Sequence, residues 1–118
     1  MTDKKFEKIE EIIKERKYAD EYFLKNSKVY KSFVDLEQKT FSDGKLKKKY
    51  KELIALGISI IINCESCMEW HINEALKSNA TFEEIIETIE VGIEMGGGPA
   101  TVSSRFALKV LDYYKSKK

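Results

Sequence analysis

Residues 45–77 read KLKKKYKELIALGISIIINCESCMEWHINEALK, and the class of the protein turns on this stretch. Leu46, Tyr50, Leu53 and Ile54 recur at helical spacing, and from Leu53 to Ile62 nearly every position is apolar. The pattern predicts one long helix from about Lys45 to Ile62, amphipathic at first and deeply buried on nearly all sides in its second half. The apolar run is interrupted by Gly57 and Ser59 and is too short to cross a bilayer, so it suits a core helix and not a membrane span. Asn63 then breaks the pattern, because Asn tolerates the left-handed conformation that ends a helix and also serves as a cap. A new helix is expected from there to about Lys77.

Working outward, Thr2 is a candidate cap for a first helix carrying Phe6, Ile9, Ile12 and Ile13, and Asn26-Ser27 separates it from a second carrying Val29, Tyr30, Phe33, Val34 and Leu36. Ser42-Asp43-Gly44 supplies a turn. Downstream, Ser78-Asn79-Ala80 is a break, and Thr81 with Glu84 makes a capping box ahead of Phe82, Ile85, Ile86, Ile89 and Ile93. Gly96-Gly97-Gly98 stops that helix, and Pro99 suits the first turn of the last one, with Val102, Phe106, Val110 and Tyr114. Gly57 and Gly92, inside helical patterns, mark close helix contacts. With no strand pattern, repeat or linker, residues 1–118 predict one all-α domain of about six helices.

Composition narrows the function. The chain has 42% hydrophobic and 35% charged residues, and 21 Lys and Arg against 20 Asp and Glu leave a net charge of +1. No large positive field is available, so nucleic acid is not the expected partner. The run Lys45, Lys47, Lys48, Lys49 and Lys51 reads as the solvated start of a helix, not as a docking patch. The amino terminus passes into a charged amphipathic pattern without the apolar core of a secretory signal, giving a cytoplasmic expectation. In that reducing compartment a close cysteine pair is more often catalytic or metal-binding than a staple.

The chain's two cysteines, Cys64 and Cys67, stand at the expected start of a helix, where backbone N–H groups and the helix dipole favour a thiolate. Three residues apart, they can reach one another in a small-loop disulfide, so that one resolves an oxidised form of the other. His71 lies four residues after Cys67 and seven after Cys64, which places a base on the same helical face as both sulfurs. A lone His would otherwise read as an ordinary core or surface residue. Glu52 heads a stripe with Leu56, Ser59 and Asn63, a polar seam leading toward the cysteine turn, although periodicity alone also allows a Glu in a charged helix start. Trp70 reads as a core or subunit-interface anchor.

Read together, Glu52, Cys64-x-x-Cys67 and His71 resemble the carboxymuconolactone decarboxylase family in its alkyl hydroperoxidase (AhpD-like) branch. The segments Lys51–Ile58, Cys64–His71, Asn79–Ile85 and Glu94–Ala100 follow that family in order and spacing, from about Val29 to Tyr113. The resemblance implies an orthogonal all-α fold, a homo-oligomer (trimer or hexamer), and a dithiol that reduces a peroxide and is restored by a thiol reductant or redox protein. It also implies that Cys67 is the attacking thiolate and Cys64 the resolving thiol, with Glu52 and His71 relaying the proton. Helix-end electrostatics alone would favour Cys64, whereas the closeness of His71 favours Cys67. Ser66 stands where some peroxidases of the family have a His. Members that are lactone decarboxylases generally lack the cysteine pair, so decarboxylation is not the expected activity.

A non-enzymatic zinc module built from the same two Cys, His71 and Glu52 is the reading from another class, and a redox sensor is a third. Structural zinc sites more often draw on two separated pairs, and the chain has no second pair, so no metal and no cofactor is expected.

Overall fold

The computed structural model describes residues 4–117, so the Thr2 cap lies outside the described residues. Six α-helices and no strand occur among them: α1 (Glu7–Asn26), α2 (Lys28–Thr40), α3 (Lys48–Ile61), α4 (Glu65–Lys77), α5 (Phe82–Gly96) and α6 (Gly98–Ser116). The all-α expectation holds. The chain falls into two compact units, divided after Asp43.

In the first unit a 3-10 turn, Lys4–Phe6, leads into α1, and Phe6 and Ile9 are buried. The helices part at Ser27, whose extended backbone ends α1 and whose hydroxyl accepts the Tyr30 N–H at 3.0 Å, the N-cap expected from the sequence. Tyr30 ties α2 to α1. The Tyr30 hydroxyl donates to the Asp20 carboxylate, and the Phe23 and Tyr30 rings stack with centroids 5.1 Å apart. That hydrogen bond, with burial and the nearby charge adding to it, pushes the Tyr30 pKa up to about 12. Along α2, Val29, Phe33 and Leu36 form an exposed apolar row.

The second unit holds the main core. Its α3 starts at Lys48, three residues later than the pattern predicted, and packs on α4, α5 and α6. Leu53, Leu56 and Ile60 are buried there. The expectation of burial on nearly all sides fails: Ile54, Ile58 and Ile61 are half-exposed, at 50–54%. A helix offers one side to its neighbours in the unit, and here the other side borders an open apolar groove of about 540 Å³ shared with Val91 and Met95 of α5.

Helix boundaries follow local chemistry. Asn63 adopts the left-handed conformation at φ 54° and turns the chain between α3 and α4, as its side chain permits, and Asn79 does the same at φ 74° before α5. Both halves of the Thr81–Glu84 capping box form, at 2.9 and 3.0 Å. Gly97, at φ 71°, ends α5, and Pro99 sits in the first turn of α6. A Cβ on Gly92 would stand 3.4 Å from the Gly57 carbonyl oxygen and from the Ile60 side chain, so the glycine permits the close approach of α5 to α3.

Candidate functional site

Cys64 is the N-cap of α4 itself. Its Sγ accepts the Cys67 backbone N–H at 3.2 Å, and its own N–H reaches back to the Ser59 carbonyl at 3.0 Å. A sulfur in this position receives both a backbone donor and the positive end of the helix dipole, the environment in which a thiolate is favoured. Cys64 and Cys67 are joined by a disulfide, with Cα atoms 5.2 Å apart. Both are half-buried, on a helix whose first turn is open on the Ser66 side.

His71 lies one turn beyond Cys67 on α4, and across the helix pair its Nδ1 is 2.7 Å from Glu52 Oε1. Glu52 is 1% exposed, a buried carboxylate that needs compensation. Its other oxygen supplies it: Lys48 Nζ, at the start of α3, lies 2.5 Å from Glu52 Oε2 and 3.1 Å from Glu74 Oε1. Burial alone would raise the Glu52 carboxyl, but hydrogen bonds from His71 and Lys48, with the attraction of both charges, outweigh it and hold the group below the usual carboxylate range. For Lys48, burial works against the charged form, and the hydrogen bonds to Glu52 and Glu74 more than offset it, so its pKa is raised.

An ionised carboxylate only accepts hydrogen bonds, so Nδ1 of His71 must carry the proton it shares with Glu52. The imidazole is thereby held as the tautomer whose Nε2 is the basic nitrogen. Carboxylate and imidazole thus meet across the α3–α4 contact, and Cys67 lies one turn before His71 on α4.

Of the residues singled out in the sequence, the structure brings Glu52 and His71 into contact and joins Cys64 to Cys67. The polar seam is not a side-chain relay. Ser59 is buried, but its hydroxyl donates to the Ala55 carbonyl of its own helix at 2.7 Å, and Asn63 is exposed in the turn. Trp70 is half-buried on α4. The lysine run departs from the expected solvated face: Lys48 binds Glu52 and Glu74, and Lys49 binds Glu84 of α5 at 2.9 Å. Sequence reasoning passed over Lys48 and Glu74, although each lies one turn from a residue it did select, Lys48 before Glu52 and Glu74 after His71. It also passed over Glu69, a second buried glutamate, which accepts from the Tyr114 hydroxyl and ties α4 to α6.

Among the described residues no group of three or more His, Cys, Asp or Glu is arranged to hold a metal ion. No helix among them is long and apolar enough to cross a membrane.

Residues 27–110 match the model of the carboxymuconolactone decarboxylase family. A relative from Paracoccus denitrificans, described as uncharacterized protein 4 in cox locus, is 40% identical over 81 residues, spanning 69% of this chain and 73% of the relative. A carboxymuconolactone decarboxylase family protein from Legionella pneumophila superposes with a TM-score of 0.81 at 32% identity, covering 92% of this chain and 96% of that one. A family protein from Thermotoga maritima, described in connection with an antioxidative response, superposes with a TM-score of 0.82 at 25% identity over 90% of this chain and 91% of its own.

Proposed function

This chain belongs to the carboxymuconolactone decarboxylase family, and from that premise we propose that it is an AhpD-like thiol peroxidase cycling a Cys64–Cys67 dithiol and disulfide. The observation that carries the reading is the pairing of a bondable cysteine turn with the buried Glu52–His71 contact on the same two helices. The antioxidative connection of the Thermotoga protein points the same way.

In the proposed cycle His71, neutral at Nε2, takes the Cys67 thiol proton, and Glu52 stabilises the imidazolium that results. The Cys67 thiolate attacks the terminal oxygen of a hydroperoxide. The O–O bond breaks, Cys67 becomes a sulfenic acid, and the departing alkoxide takes the proton back from His71 as an alcohol. The Cys64 thiol then attacks the Cys67 sulfur, releasing water and forming the disulfide. An external dithiol or redox protein supplies two electrons and two protons to restore both thiols.

Assigning the attack to Cys67 rests on the family resemblance and on His71 one turn away. The amide donated to Cys64 Sγ favours a thiolate at Cys64, which in this scheme assists reduction, because the better stabilised thiolate leaves more readily when a reductant attacks Cys67. The cytoplasm is the setting that supplies such reductants. The half-exposed apolar row Ile54, Ile58 and Ile61 supports assembly into a homo-oligomer, trimer or hexamer, that covers it.

The two single-cysteine variants test the cycle. Cys67→Ser is expected to abolish peroxide turnover and sulfenic acid formation, while Cys64→Ser forms one trappable sulfenic acid and stops. The opposite pattern reverses the roles, and equal reactivity of both variants and wild type removes the site from consideration.

A further inference from the structure

We propose that Lys48 is a positioning residue for the redox site: its ammonium, shared between Glu52 and Glu74, fixes the Glu52 carboxylate so that it holds the His71 ring by Nδ1. The inference rests on the reading of Glu52 and His71 as the proton-handling pair, and it assigns a part to a residue outside the cysteine motif.

The geometry divides the work of Glu52 between its two oxygens. Oε1 meets His71 Nδ1 at 2.7 Å, and Oε2 meets Lys48 Nζ at 2.5 Å. Lys48 lies one turn before Glu52 on α3, and Glu74 lies one turn after His71 on α4, with 3.1 Å from Lys48 Nζ to Glu74 Oε1. Two rungs therefore join the helices, Lys48 to Glu74 and Glu52 to His71, and the bond from Lys48 to Glu52 makes them one frame. Lys77 approaches the outer oxygen of Glu74 at 3.5 Å, so Glu74 is balanced from the solvent side as well.

Charge arithmetic shows why the cation is needed. Glu52 and Glu74 bring two carboxylates toward one helix contact, and the 1% exposed Glu52 has little water to solvate it. Remove the ammonium and nothing fixes Oε2: the Glu52 carboxylate, facing a second negative group, is free to turn away from the His71 ring. Nδ1 then loses the carboxylate acceptor that keeps its proton in place. The imidazole then shifts to the tautomer with its proton on Nε2, and the nitrogen meant to receive the thiol proton is no longer basic. Lys48 contributes through Glu52 alone, and it touches neither sulfur nor substrate in this scheme.

His71 is the single histidine of the chain, so its ring nitrogens give an unambiguous NMR signature. Long-range nitrogen–proton correlation spectra of the whole chain, recorded above the imidazole titration, are expected to show the Nδ1–H tautomer in the wild type. In Lys48→Met the Nε2–H fraction is expected to rise about threefold or more, and Lys48→Arg is expected to restore the wild-type pattern. The acid limb of the Cys67 alkylation rate should move to higher pH in Lys48→Met and return in Lys48→Arg. Wild-type tautomer populations and an unmoved acid limb in Lys48→Met would overturn the proposal. Should Lys48→Met not fold, Lys48→Gln is read by the same spectra with the same two outcomes. Peroxide inertness of the wild-type dithiol would remove the peroxidase reading, while the tautomer measurement still decides the part played by Lys48.

Discussion

Replacing Glu52 with Gln removes a charge from the site while nearly preserving its shape, so the variant isolates what the carboxylate contributes. The carboxamide oxygen can still accept from His71 Nδ1–H, now at 2.7 Å in the wild type, but its amide nitrogen would face the Lys48 ammonium, donor against donor. Lys48 keeps Glu74. The lost charge-assisted hydrogen bond costs about 1.5–3 kcal/mol, and relief from desolvating a buried charge offsets part of it, leaving a net destabilisation of about 1–2 kcal/mol. For a chain of this size that lowers Tm by about 5 °C. The effect on chemistry is larger. An imidazolium beside a carboxylate, with charge centres about 4 Å apart at an effective dielectric of about 20, gains about 4 kcal/mol. Screening of the partly exposed ring reduces this to about 2–3 kcal/mol, or about a hundredfold in the rate of the first thiol step. Trp70 is the only tryptophan and neighbours His71, so stopped-flow fluorescence on adding a hydroperoxide reads that step. Calorimetry gives Tm in parallel. A lowered Tm with the rate within about twofold of wild type would refute the catalytic part of the reasoning and leave Glu52 as a structural ion.

Acid should unfold the protein through its paired carboxylates. Because Glu52 and Glu84 sit below their ordinary value of 4.5, their stabilisation is fully present above that pH and is lost as pH falls through the lower folded-state value. Urea midpoints should therefore be flat from neutrality down to about pH 5 and fall below it, less steeply in Glu52→Gln; an identical acid slope in that variant would show that Glu52 is not a source. Ile58→Asp places a charge on the open face of α3, where Ile58 is 54% exposed, and is expected to reduce the light-scattering mass from a multiple of 13.7 kDa to one chain without loss of helix signal. A wild-type monomer at micromolar concentration would end the assembly argument.

The helices were legible wherever punctuation was local. Ser27, Asn63, the Thr81–Glu84 box and Pro99 act within a turn of their own position, and each stands where its chemistry predicts. Periodicity misjudged α3 because an all-round apolar pattern measures how much surface prefers to leave water, not which side a single chain covers; Ile54, Ile58 and Ile61 face the groove. At the site, the spacing of Cys64, Cys67 and His71 lies along one helix and is written directly in the sequence. The contact of Glu52 with His71 crosses between helices, so spacing offered a direction and only packing supplies the distance. Lys48 was hidden for the same reason. In a row of five lysines nothing local separates the two that reach across to acidic partners, and for Lys48 the buried glutamate it serves is what selects it.

Glu84 belongs to two kinds of structure at once. One of its oxygens closes the capping box that starts α5, and the same carboxylate receives Lys49 from α3. The beginning of a helix and its docking onto a neighbour therefore share a side chain, and neither is completed independently of the other. Such sharing makes the assembly of α3 with α5 cooperative: a chain in which α5 has started has already aimed the group that captures α3. The amide protons of the first turn of α5 should then exchange with solvent together with those of the α3 contact, as one opening unit, instead of fraying separately as the end of a free helix would.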